Sequence, residues 1–260
     1  MTLTEHHTCK RLFMNVTNPS IAHTQRTDYT ELNTILMGNE LLSYWQSIQN
    51  IQTDELFGYE LLIRGPIHSQ LHTPDKLFST AMENNRYDEL EIECLATHFS
   101  KLNELNVKPN VTVNISPRML FNETLLELLY HYPNPDHIKL ELTEHLPVEE
   151  WAPIKEKMNQ LRAIGYEFWL DDVGCGYFDV GLIDIVQPEV VKLCIKLMKR
   201  LAAGEDFLDE LQFVVDKVHH YGGKVLAEGI EELWQLNTVK QLGVNYAQGY
   251  YFDKPCLVCA

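Results

Sequence analysis

The sequence predicts an α/β fold, a modified TIM (β/α)8 barrel in which one strand near the start runs antiparallel. Three observations predict it. A unit of helix, glycine, apolar strand and acid recurs along the chain. Eight candidate strands alternate mostly with helical segments. The length of 260 residues, 45% of them hydrophobic, suffices for one large barrel. The unit is plainest in "LRAIGYEFWLDD", where Gly165 stops a helix and an apolar strand runs into Asp171 and Asp172. "VHHYGGKVLAEG" and "VKQLGVNYAQGYYF" repeat it. Glycine satisfies the left-handed position just past a helix, and a strand following at once is the αβ turn of a parallel unit.

Taken in order, residues 1 to about 30 are polar and show no sustained periodicity. They are expected to form a mobile arm or short adaptor, leaving 31–260 as the barrel domain. "SYWQSIQNI" and "LFGYELLIRG" give strands near 42–50 and 56–64. Too few residues separate them for a helix, so they should pair as an antiparallel hairpin. Thr73-Pro74 is a cap followed by proline at the first helical position, opening "DKLFSTAMENN". Leu90, Cys94, Leu95, His98, Phe99 and Leu102 then keep helical spacing. Strands follow near 111–116, 138–143, 167–172, 190–195, 224–229 and 246–252. Between them Ile154, Met158 and Leu161, and later Leu211, Val214, Val215 and Val218, mark amphipathic helices.

The formal net charge of -16 and pI near 5.0 exclude non-specific binding of DNA, RNA or an anionic membrane. No apolar run is long enough to span a bilayer, and the amino terminus lacks the apolar core of a signal peptide. A cytoplasmic location is expected. Six scattered cysteines suit a reducing compartment, and the single Cys256-x-x-Cys259 pair has no second pair to complete a zinc site.

In a TIM barrel, chemistry sits at the carboxyl ends of the strands. That place is filled repeatedly by acids, amides and a few cations: Glu60 and Arg64, Asn114, Glu141 and Glu144, Asp171 and Asp172, Lys192, Glu228 and Glu231, and Gln248. One acid at a strand end is ordinarily a solvated loop residue or a helix cap. Acids from five strands converging on one mouth would repel strongly unless cations lay among them. An all-oxygen set without histidine suits Mg²⁺ or Mn²⁺ rather than zinc. Adjacent aspartates can serve two metals about 3.5–4 Å apart, as in two-metal phosphoester hydrolysis.

"ELL", "VNISPRML", "ELTE", "DDVGCGY", "VKLC", "AEGIE" and "AQGYYFDKP" stand in the order and spacing of one family. From about residue 30 to 256 the chain resembles the EAL-domain family, the cyclic di-GMP-specific phosphodiesterases of bacterial second-messenger signalling. The resemblance implies hydrolysis of cyclic di-GMP to linear pGpG with Mg²⁺ or Mn²⁺. Glu60, Asn114, Glu141 and Asp171 then look like ligands of one metal, and Asp172 like the main ligand of the second. Glu228 looks like an acid supporting the metals, and Gln248 like a partner of the attacking water or substrate. Lys192 looks like the group that polarises that water, and Arg64 like a phosphate contact. Glu144 looks like the acid anchoring the loop that starts at Asp172. A homodimer is implied, and a regulatory protein partner is compatible with it. The alternative is a degenerate EAL protein that binds cyclic di-GMP or a protein without hydrolysing it; a metal-dependent barrel acting on another substrate is a third class.

Four departures from the family pattern involve five positions. Leu61 replaces the alanine of the signature and by alternation should face away from the metals. Val173 and Cys175 stand where the loop commonly has phenylalanine and threonine. Cys194 replaces an aspartate two residues after Lys192, and by the same alternation should lie on the lysine's face. Asn245 replaces an aspartate shortly before Gln248.

Overall fold

The computed structural model describes residues 19–106, 108–143, 148, 150–173, 180–204 and 207–259, with side chains from residue 28 on, that of residue 202 apart. Its strands are β1 (Leu42–Asn50), β2 (Glu55–Arg64), β3 (Val111–Ile115), β4 (Ile138–Leu142), β5 (Glu167–Val173), β6 (Val190–Leu193), β7 (Lys224–Ala227), β8 (Tyr246–Ala247) and β9 (Cys256–Leu257). The helices are α1 (Pro19–Gly38), α2 (Pro74–Glu83), α3 (Tyr87–Glu104), α4 (Glu123–His131), α5 (Trp151–Arg162), α6 (Val180–Val186), α7 (Ile195–Ala202), α8 (Leu208–His220) and α9 (Leu233–Gln241). Strands β2 to β8 run parallel in sequence order, and β1 closes the ring by pairing antiparallel with both β8 and β2. The barrel is therefore the expected α/β one with a single reversed strand. The short β9 adds to β1 alongside β8.

Period-two alternation sorts each strand into an outer and an inner face. Outward residues such as Leu61, Val113, Leu140, Leu170, Val191 and Val225 join the large core beneath the helices. Leu61 packs there with Leu95 and Phe99, away from Glu60's side, as alternation requires. The inward residues Ile48, Trp169, Val190, Leu226 and Tyr246 form a separate cluster. Four of these lie two residues before Asp171, Lys192, Glu228 and Gln248, so they form an apolar floor one layer below the polar residues. Phe57 tilts against both Trp169 (5.6 Å) and Tyr246 (4.7 Å) to seal it.

Thr73 caps α2 with Pro74 at its first position, and every spaced apolar residue named for α3, α5 and α8 is buried. The stretch read as a polar arm overlaps α1 from Pro19 onward. Leu32, Ile35 and Leu36 of that helix are buried with Leu77 and Ala81 of α2 and Leu90 of α3. Each such side chain contributes about 1.5–3 kcal/mol on burial, enough to hold an extra helix on the barrel wall. Residues 1–18 lie outside the described ones. Among the described residues no helix is long and apolar enough to cross a membrane.

Candidate metal centre

Strand β5 raises the local problem of two adjacent aspartates that a regular strand would point to opposite faces. It solves it at Asp172, whose φ of +52° is left-handed, a conformation aspartate tolerates better than most residues. The register between β5 and β6 slips at the same place, between Leu170 and Val173. This bulge re-aims the chain. One carboxylate oxygen each from Asp171, Asp172 and Glu228 then lies within 4.8 Å of the other two.

Lys192 sits at the centre of the remaining acids. Its Nζ donates to Glu141 Oε1, lies 2.8 Å from Glu228 Oε1 and 3.1 Å from Asp171 Oδ1, and is 3.7 Å from Glu60 Oε1. Lys192 is 1% exposed, Glu141 0% and Glu60 8%. Four carboxyl groups thus share one ammonium in this group. Burial, with Asp171 and Glu60 adding to it, pushes the Glu228 carboxyl up to about 8 against the pull of Lys192. Burial likewise holds Glu141 well above the usual carboxylate range, again against Lys192. For Lys192 itself burial works to lower the value, but the four acids together outweigh it and keep the ammonium charged.

The set fits divalent cations on two counts. All its donors are oxygens, as hard cations prefer. Three of them, Glu141 Oε2, Asp171 Oδ1 and Gln248 Oε1, are buried and accept no hydrogen bond. Buried acceptors ordinarily find partners, and unpartnered oxygens among acids are what a cation site needs. Gln248 gives its Nε2 to Glu60 Oε2 (2.6 Å), and Asn114 donates to Glu60 Oε1 (3.4 Å) from the neighbouring strand.

Of the residues expected at the mouth, Glu60, Asn114, Glu141, Asp171, Asp172, Lys192, Glu228 and Gln248 come together here. Arg64 stands off from them, at the end of β2. Its guanidinium lies 5.9 Å from the centre of the Tyr44 ring and borders a cavity of about 430 Å³ with Phe78, Met82, Tyr87, Asn114 and Asp171. Glu144 and Cys175 lie outside the described residues. Glu231 belongs to the turn before α9, where its N–H is held by Gln235 Oε1. Cys194 follows the last residue of β6, Leu193, and is the buried N-cap residue of α7. Asn245 serves the backbone, accepting from Val225 N–H at 2.8 Å, which an aspartate would do equally.

Two polar residues that the sequence reading missed border the site. Gln46, inward on β1 and opposite Glu60 in register, accepts from Gln248 Nε2 at 3.1 Å. Glu91 of α3 is buried and accepts both the N–H (2.9 Å) and the hydroxyl (2.5 Å) of Ser116, two residues past Asn114. Its helical position alternates with no strand end, so the carboxyl-end rule does not reach it.

A family model of the EAL domain matches residues 30–255. A probable cyclic di-GMP phosphodiesterase, PdeB of Escherichia coli (strain K12), is 24% identical over 246 residues, 88% of this chain and 45% of its own length. The chain spans under half the length of this and other curated relatives. An EAL domain protein of Listeria monocytogenes EGD-e has the same fold, with a TM-score of 0.78 at 23% identity over 88% of this chain and 94% of that one. So does Klebsiella pneumoniae BlrP1, in a complex with manganese and cyclic di-GMP, with a TM-score of 0.72 at 23% identity over 84% and 56% of the two chains. The match spans the whole barrel, from the last turns of α1 to the residues before β9, and on it this chain belongs to the EAL domain family.

Proposed function

We propose that this EAL domain is a Mg²⁺- or Mn²⁺-dependent phosphodiesterase that hydrolyses cyclic di-GMP to linear pGpG. The observation that carries the reading is the convergence of five acids, Glu60, Glu141, Asp171, Asp172 and Glu228, on one end of the barrel, four of them around Lys192. Glu60, Asn114, Glu141 and Asp171 would hold one cation, Asp172 a second beside it, and Glu228 would support both. Bound there, the cations supply charge neutralisation at the phosphate and a more acidic water.

The chain's own residues do the rest. Lys192 keeps its proton at Nζ and hydrogen-bonds Glu141 Oε1, which fixes that oxygen and leaves Oε2 buried and without a hydrogen bond. Its charge, close to the acids, also orients the attacking water. Gln248 offers Oε1 as an acceptor for that water or the substrate. Arg64 contacts a phosphate from the cavity rim, and the apolar floor of Trp169 and Tyr246 excludes bulk water from below. Placement supports this division of labour: Glu60 and Glu141 are buried, Asp171, Asp172 and Glu228 are partly exposed beside them, and the arginine borders the cavity. We extend the proposal to Glu144 as the anchor of the loop after Asp172, and to a homodimer; light scattering of the purified protein checks the latter.

The test incubates purified protein with cyclic di-GMP and Mg²⁺ or Mn²⁺ and resolves products by chromatography. pGpG from the wild type, reduced at least a hundredfold in Glu60→Ala, is the expected result. Nucleotide binding in calorimetry with no product would replace the enzyme by a receptor. Absence of both would move the function to a protein partner.

A further inference from the structure

Gln46 has no place in the proposed reaction, yet it is 8% exposed, polar and next to Gln248. Its amide orientation is dictated by its neighbours. Nε2 donates to the Asp253 backbone carbonyl at 3.0 Å, and a carbonyl oxygen can only accept. Oε1 must therefore face Gln248, which has to answer with its amino group, at 3.1 Å. The same amino group meets Glu60 Oε2 at 2.6 Å, a second acceptor. With Nε2 committed twice, Gln248 is left with its oxygen buried and without a hydrogen bond. The Asp253 end is itself fixed, because its carboxylate accepts Ser47 N–H at 3.2 Å.

We infer that Gln46 is a positioning residue: a relay from the Asp253 carbonyl through Gln46 locks the Gln248 amide so that its amino group stays on Gln46 and Glu60 and its carbonyl oxygen is the atom left to accept. The inference rests on the proposed phosphodiesterase reading for its consequence, though the relay itself is a property of the protein alone. A locked oxygen can accept from water or face a cation. A flipped amide would present two N–H donors to the same place and repel a cation. The reversed strand β1 is what allows this. It stands between β8 and β2, so one side chain bonds Gln248 and stands opposite Glu60 in register.

Gln46→Met keeps the volume and removes both hydrogen bonds. In ¹⁵N-labelled, metal-free protein, the Gln248 side-chain amide signal, assigned by its loss in Gln248→Met, is expected to exchange with solvent at least tenfold faster in Gln46→Met. In the presence of Mn²⁺, turnover is expected to fall about 10- to 100-fold, the range for residues that orient a metal-site group, with KM for the nucleotide moving less than about threefold. The Gln46→Met/Gln248→Met double variant should be no slower than Gln248→Met alone, since both changes remove one device. Unchanged amide exchange, or losses that multiply in the double variant, overturns the relay. A wild type without turnover sinks the phosphodiesterase reading, while the exchange measurement still decides the relay. Should Gln46→Met not fold, Gln46→Leu removes the same two hydrogen bonds; faster amide exchange than in the wild type is then expected, and exchange as slow as in the wild type in the folded variant overturns the proposal.

Discussion

Lys192 carries the electrostatics of the mouth, because four acids depend on one cation inside an apolar barrel. Removing one partner of a buried ionic group leaves uncompensated charge, at a cost of about 3–5 kcal/mol. Lys192→Met should therefore destabilise the metal-free protein by that order near pH 8 and much less near pH 5, where the acids can take protons. Urea unfolding at the two pH values checks it; equal losses at both would mean that the lysine serves packing and not charge. Glu91 makes a separate claim. Burial raises its carboxyl to about 7, against the hydrogen bonds from Ser116. The folded state thus holds this proton more tightly than the unfolded chain, whose value is about 4.5. Stability from this group is fully present below the unfolded value and is lost as pH rises from about 4.5 to 7. Glu91→Gln cannot lose a proton, so its stability relative to wild type should grow across that window. A difference that stays flat from pH 5 to 7.5 would refute the assignment.

Elements differ in how readily their contribution is read. The antiparallel hairpin was legible because the link between two apolar runs was too short for a helix, and β1 and β2 pair along their whole length. The acids were legible because β2 to β7 run parallel and present their carboxyl ends to the mouth. Gln46 was not, since β1 runs the other way and its mid-strand residue, not its end, reaches the site. The left-handed turn at Asp172 has no mark in the sequence beyond the residue's tolerance of it. Glycine placement belongs to this scale too. Gly249 follows Gln248 with φ +154°, and a Cβ there would sit 2.1 Å from the Ile230 carbonyl oxygen, which the N–H of Tyr251 needs. Gly249→Ala should cost roughly 1–3 kcal/mol by overpacking and displace Gln248, whose own carbonyl holds Ile230 N–H. Thermal unfolding together with turnover reads both effects. An alanine variant as stable and active as wild type would remove Gly249 from the account.

The whole molecule carries a net charge of -16, and its barrel gathers part of that charge at one end. A closed ring of strands cannot splay to relieve the repulsion, so the mouth must bind protons or cations. Which it binds depends on pH. With Glu228 raised to about 8 and Glu141 raised as well, protons occupy the site below that range and must leave before a divalent cation enters. Mn²⁺ or Mg²⁺ should consequently raise the melting temperature, and raise it more at pH 8 than at pH 6. At a hundredfold excess over Kd the gain is about 2.7 kcal/mol, or roughly 5–10 °C for a domain of this size. A chelator should reverse it. Sodium chloride at matched ionic strength should reproduce only the small part that comes from screening the general surface charge. The decisive comparison is Asp171→Asn, which removes a carboxylate shared by the acid cluster and the lysine hub. It should melt higher than wild type without metal, because one repelling charge is gone, and gain little when metal is added. If wild type and Asp171→Asn gain equally from Mn²⁺, the cation is bound elsewhere on the acidic surface and the mouth is not a metal centre.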